Sequence, residues 1–294
     1  MHNNSFHRWL YLVAGLLFSM QLSAQSDSAT INREARDPDF IHASMVVASP
    51  GEPFYSCVGH AAIRMECPSK DLDYCFSFEM EMEPSNELMF IFGKSKGGFV
   101  SVDSKEYFKI YQKERRGIKS YEFNLTPKEK QNLWKNLDEE VSKGMSWDYD
   151  FLGNQCTAML IYILEKSLIQ ERVEYRNLAP PLTASYDDYC EAVAHDMPWT
   201  KLLMQIKYHT SDSGNLTFED YITPELLFTT YQKAVFTDAQ GRSRPVFIGK
   251  EKEINKNQLV ISKIFFTPSI AFTAFIIVLI SSIIWWRLRK RNKK

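Results

Sequence analysis

Two residues in this chain stand in settings where they could do chemistry together. His60 follows Gly59 at the start of an extended, apolar segment, and Cys156 opens a run to Ser167 rich in Met, Leu and Ile that reads as a buried helix. A cysteine at a helix N-terminus faces backbone N–H groups that have no intrahelical acceptor, and it sits at the positive end of the helix dipole. Both stabilise a thiolate. A histidine beside it can take the thiol proton and return it to a leaving group, while N–H groups at the helix start hold an oxyanion. That set of groups suits acyl transfer or hydrolysis. A plainer reading also stands: a buried cysteine is often just a small apolar side chain, and a histidine is often structural or solvated.

A base of this kind needs a polar neighbour that fixes its tautomer. Asp73 and Glu79, on the extended segment after His60, are the candidates, and Asp73 is the expected one. Asp148 and Asp150 flank Tyr149 ahead of Cys156 and read as turn caps rather than metal ligands. The five cysteines, Cys57, Cys67, Cys75, Cys156 and Cys190, lack the close Cys or His pairs of a zinc site, so no metal is expected. Their odd number leaves at least one unpaired within the chain, with one bridge available among the three between 57 and 75. No cofactor is implied, because a thiol and an imidazole supply their own nucleophile and base. His42 and His195 read as structural or solvated.

The elements that must position this pair have an α+β pattern. Short extended segments at 41–48, 60–65, 74–78, 98–102 and 119–124 make a small antiparallel sheet, with a turn-rich loop at 49–53. Thr126 and Pro127 start a helix to about Lys143, whose Leu133, Trp134, Leu137 and Val141 fall at core spacing. A connector at 144–155 leads to Cys156. Beyond Pro181 the chain reads as helical, with a break at Met197-Pro198 and a loop at 211–215.

The ends place the domain in the cell envelope. Residues 1–24 form a secretory signal or a retained N-terminal anchor, and 25–39 are a polar linker. The globular domain spans 40–248, followed by a charged tether at 249–263. Residues 264–286 carry no charge and, at ~1.5 Å per residue, are long enough to cross ~30 Å of hydrocarbon. Trp285-Trp286 and the basic tail 287–294 put the C-terminus in the cytoplasm and the domain in the periplasm. A net charge of -1 with interleaved signs gives no basic face for a phosphate backbone, so nucleic acid is not expected as a partner.

Ser49–Arg64, with Pro50-Gly51-Glu52-Pro53 and Gly59-His60, and Trp147–Thr157, with Asn154-Gln155-Cys156, resemble the periplasmic domain of the Lnb-type lipoprotein N-acyltransferases of Bacteroidota. The weaker pattern from Pro198-Trp199 to Phe228 extends the likeness over about 40–236. The resemblance implies a circularly permuted papain-like fold of the NlpC type, in which histidine precedes cysteine. It implies Cys156 as nucleophile, His60 as base, and transfer of a fatty acyl group from a phospholipid to the N-terminal amine of a diacylated lipoprotein. Asn154 and Gln155 would then contact the substrate or its oxyanion, although Gln155 stands where the family commonly has Asn. Arg64, by its position near the pair, is either a contact for a lipid phosphate or an exposed arginine without such a role. An envelope cysteine hydrolase acting on peptide or cell-wall amides, and a scaffold with Cys156 buried or bridged to Cys190, are the competing readings.

Overall fold

The computed structural model describes residues 42–52, 54–81, 95–150, 152–176, 185–209, 222–260 and 266–291. The expected leader at 1–24, the linker at 25–39 and the loop at 211–215 lie outside them.

Strand β1 (His42–Ala48) is apolar on both sides. Ala43, Met45 and Val47 enter the main core, while Val46 and Ala48 enter a smaller cluster on the opposite face. Such a strand belongs at the centre of a sheet covered twice. Strands β2 (His60–Cys67) and β3 (Leu72–Met80) form a hairpin through the 3-10 turn Pro68–Lys70, closed by Asp71 in the left-handed region at φ 54°. β4 (Lys96–Asp103) runs into α1 (Ser104–Lys113), whose first N–H groups are capped by the Asp103 carboxylate. β5 (Ile118–Phe123) follows.

Helix α2 (Pro127–Ser142) starts at the expected place, with a full capping box between Thr126 and Glu129. The two-residue strand β6 (Trp147–Asp148) interrupts the connector before α3 (Cys156–Ser167). Then come β7 (Glu171–Glu174), α4 (Tyr186–Ala194), α5 (Pro198–His209), α6 (Pro224–Tyr231), β8 (Val235–Asp238), β9 (Ser243–Pro245), β10 (Phe247–Asn255) and α7 (Pro268–Arg291).

The main sheet is antiparallel and seven-stranded, in the order β10-β5-β1-β2-β3-β4-β6, and β7, β8 and β9 form a second sheet. Helices α2, α3 and α6 cover one face, and α1 covers the other. The sheet is therefore larger than the small one expected. Residues 249–255 are a correction: instead of opening a tether they belong to β10, which pairs with β5 through two register shifts. Their run of charges hid the strand, and such charge is what an exposed edge strand carries.

Helix α7 begins four positions after the predicted 264. Within Pro268–Lys290, the most apolar 18-residue window has a mean hydropathy of 2.2 and is not buried against the rest of the chain, the profile of a membrane-crossing helix. At its far end Arg289 and Lys290 lie over the rings of Trp285 and Trp286.

Candidate active site

The site is built where β2 begins and α3 begins. Gly59 has φ +86°, and a Cβ there would meet the Ala48 carbonyl at 2.6 Å, so only glycine makes this tight entry into β2. His60 is therefore set at the very end of the strand, paired with Ala48 across to β1. The loop before it is pinned by Arg116, whose Nε donates to the Ser49 carbonyl at 2.7 Å, and by the Gly117 N–H, which donates to Ser49 Oγ at 2.9 Å.

On the other side of the sheet, α3 delivers Cys156 as its first residue. Gln155 is the N-cap: its Oε1 accepts from the Thr157 N–H at 2.6 Å, and its Nε2 donates to the Ile222 carbonyl at 3.2 Å. Cys156 is buried, 5% exposed. Its Sγ lies 3.6 Å from Gln155 Oε1 and 3.8 Å from Thr157 Oγ1, and the His60 ring and the Ala61 N–H are near enough to act on it electrostatically. The His60 Nε2 hydrogen-bonds Glu79 Oε1 at 3.0 Å. Ser77 Oγ donates to the same carboxylate oxygen at 2.5 Å.

The electrostatics of this row are those of a charged chain. Burial pushes the Cys156 thiol up, but the His60 charge and hydrogen bond, with the Ala61 N–H and Thr157, outweigh it, and the thiol lies below its ordinary value. Burial likewise disfavours the His60 imidazolium, yet the Glu79 carboxylate beside it raises the ring well above the usual histidine range. Glu79 is held below the normal carboxylate range, burial being overcome by His60 and Ser77. With the thiol lowered, the imidazole raised and the carboxylate lowered, the row can supply a nucleophile, a proton carrier and a group that orients the carrier.

A cavity of about 160 Å³ opens on His60 and Glu79, walled by Tyr55, Tyr111, Arg116 and Tyr149 among others. The Arg116 guanidinium stacks 4.7 Å over the Tyr111 ring, and its Nη1 pairs with Glu114 at 3.0 Å. Its Nη2 is buried with no hydrogen-bond partner. Tyr149 stacks on Phe78 with ring centres 6.0 Å apart, and the nearby Cys156 thiolate helps burial raise the Tyr149 phenol. Tyr111, Arg116 and Ser77 carry no local motif that sequence reading could have used.

The structure brings together Cys156, His60 and Gln155 and leaves Asp73 and Arg64 elsewhere. Asp73 is a correction: it takes a bidentate pair from Arg64, at 2.7 Å and 2.6 Å, and Glu79 occupies the place against His60. The strand register is the reason, because Ala62 faces Ser77, and continuing two residues along both strands sets Glu79 across from His60, whereas Asp73 faces Glu66. Arg64 also meets Glu66 at 3.3 Å and lies over the Phe108 ring, so its charge is already committed within the fold rather than free for a lipid phosphate. Asn154 donates to the Asp148 carbonyl at 3.1 Å and shapes the loop, and both polar ends of the Gln155 amide are engaged. Gln155 Oε1 also lies 3.6 Å from Cys156 Sγ, so this side chain lines the thiol.

Asp150 Oδ1 accepts from the Leu152 N–H at 3.4 Å, a turn contact, and Asp148 pairs with Lys96. Among the described residues no three His, Cys, Asp or Glu side chains are grouped to hold a metal. Cys57, Cys75, Cys156 and Cys190 are free thiols, and Cys190 sits with Cys57 in a separate apolar cluster instead of bridging Cys156. His42 and His195 hydrogen-bond Glu122 and Glu191 at 2.8 Å and 2.6 Å.

No curated protein and no solved structure matches this chain. Residues 28–191 match the family described as the Lnb N-terminal periplasmic domain, a span that includes β1 to β7, α1 to α3 and every residue of the Cys156–His60–Glu79 row. The match covers more than half of the chain, and the protein belongs to the Lnb N-terminal periplasmic domain family.

Proposed function

We propose that this protein is a thiol-dependent lipoprotein N-acyltransferase of the cell envelope, moving a fatty acyl group from a phospholipid to the amine of a diacylated lipoprotein. The family and the apolar α7 make it a membrane-anchored envelope protein. The basic residues after Trp286 favour a cytoplasmic C-terminus with the domain in the periplasm. A histidine that precedes the cysteine, on a sheet against which the cysteine's helix packs, is the arrangement expected of a permuted papain-like enzyme.

The observation that carries the proposal is the His60 ring lying between Glu79 and Cys156 at the N-terminus of α3. In the first step the Cys156 thiolate attacks the ester carbonyl of the donor, and the oxyanion is held by N–H groups at the helix start. The intermediate collapses to a thioester, and the departing lysophospholipid oxygen takes its proton from His60. The lipoprotein amine then attacks the thioester, His60 accepts the amine proton, and the thiolate leaves. Anchoring by α7 confines the site to the bilayer that holds both donor and acceptor, which raises their effective concentration.

Mass spectrometry of lipoprotein N-termini from cells expressing the wild-type chain or Cys156→Ala tests this. The wild type yields N-acylated cysteine and the variant yields the free amine. Equal N-acylation in both would remove the proposal.

A further inference from the structure

Helix α5 presents three stripes. Thr200 and Met204 are buried, Met204 in the cluster that holds Cys57 and Cys190. Lys201 and Gln205 bind α4: the Lys201 ammonium pairs with Glu191, and Gln205 Nε2 donates to Asp187 Oδ1 at 3.0 Å. The third stripe, Trp199, Leu202, Leu203 and Ile206, has the i, i+3, i+4, i+7 spacing of a single apolar face. It faces outward, with Trp199 37% and Ile206 56% exposed and the two leucines half-buried. The fold already holds α5 on its other two sides, so this stripe is not needed to attach the helix.

What covers it is indicated by where it starts. The Trp199 indole N–H donates to the Phe266 carbonyl at 2.7 Å, and the two rings lie 6.1 Å apart. Phe266 is two residues before α7, so Trp199 stands at the level where the apolar helix begins. An indole with its N–H bonded and its ring beside apolar side chains is the usual occupant of a membrane–water boundary. The stripe continues from there along α5. We infer that the Trp199–Ile206 face of α5 docks on the lipid surface at which α7 enters the bilayer, so that the domain is held by a helix lying on the membrane as well as by one crossing it. Helices α4 and α5 share a core with Val58 and Tyr149, beside the cavity, so this docking turns a wall of the site toward lipid.

The inference rests on α7 crossing a bilayer and is independent of the thiol chemistry. The test uses the full chain carrying Cys156→Ala, reconstituted in phosphatidylethanolamine–phosphatidylglycerol liposomes. A single added cysteine, Ile206→Cys, is labelled with an environment-sensitive fluorophore, and the remaining native thiols are buried. Leu279→Cys in α7 and Lys135→Cys on the exposed face of α2 serve as references. With doxyl-labelled lipid in the bilayer, fluorescence at 206 and at 279 falls by roughly twofold or more, while that at 135 holds. Quenching at 279 with a response at 206 no greater than at 135 overturns the docking face. A protected but unquenched label at 206 also overturns it, since a protein rather than lipid then covers the stripe, and no quenching at 279 removes its premise.

Discussion

Cys156 and Cys75 are both buried, free and hydrogen-bonded, yet their thiols move in opposite directions. Cys75 lies on the α1 side of the sheet, 3.3 Å from Ser104 Oγ, and burial pushes it up to about 12. Cys57 is likewise raised to about 12 and Cys190 to about 11. Cys156 suffers the same desolvation but faces an imidazolium and a helix N-terminus, and its thiol drops below the ordinary value. Burial alone therefore makes an inert sulfur. A neighbouring cation makes a reactive one, and the neighbour in turn depends on Glu79.

The contrast is most open to attack through reactivity. A thiol near 12 is about one part in 10⁵ thiolate at neutral pH, whereas one below 9 exceeds about one part in 10². In native protein at pH 7, Cys156 is expected to react with a small alkylating agent on the order of 10³ times faster than Cys75. Time-resolved peptide mass spectrometry measures both in one sample, and comparable rates at the two positions would break the comparison.

Removing the cation should make the two sulfurs alike. His60→Ala leaves Cys156 with its burial but without the largest charge that opposes it. The thiol then rises above its ordinary value, and alkylation at neutral pH slows by about 10- to 100-fold. The pH dependence of the alkylation rate reads the shift directly, and an unmoved profile would assign the activation to the helix end alone.

A smaller effect separates the two carboxylates on β3. Glu79→Gln removes the charge that keeps His60 protonated and should slow Cys156 alkylation by about threefold to tenfold. Asp73→Asn should leave that rate unchanged while costing about 1–3 kcal/mol, because it breaks the bidentate partner of a half-buried Arg64. A slowed thiol in Asp73→Asn with none in Glu79→Gln would reverse their assigned roles.

These two carboxylates also mark where the sequence could be read and where it could not. Strands β1 to β5, the start of α2 at Thr126 and the start of α3 at Cys156 follow from alternation, capping and apolar periodicity. Those are local signals. Which acidic residue meets His60 depends on register, and register is set by the 3-10 turn Pro68–Lys70 with Asp71 in a left-handed conformation. With that turn fixed, Glu79 lies opposite His60 and Asp73 lies most of the strand's length away. The Arg116 clamp on Ser49 and the β5–β10 pairing join residues distant in the chain and leave no local trace. The charged β10 went unread because an edge strand does not require the alternation by which strands are recognised.

The smallest expected effect concerns stability against pH. Unfolded, Glu79 titrates near 4.3, while folded it is held lower by His60 and Ser77, despite burial. Above the unfolded value both states keep the carboxylate ionised, and the native state holds its full advantage. As pH falls through the carboxylate range the unfolded chain takes its proton first, and the advantage is lost as pH passes the folded value. Glu79→Gln has no such proton to bind. Its melting temperature should lie about 2–4 °C below wild type from pH 7 to about pH 5, with the gap narrowing toward pH 3. Cys75→Ser supplies the contrast, because a thiol raised to about 12 stays protonated in both states over that range and its gap should remain flat. A Glu79→Gln gap that is also flat would mean that the carboxylate supports His60 by shape and hydrogen bonding rather than by charge, and that Cys156 owes its ionisation to the imidazole and helix end without help from β3.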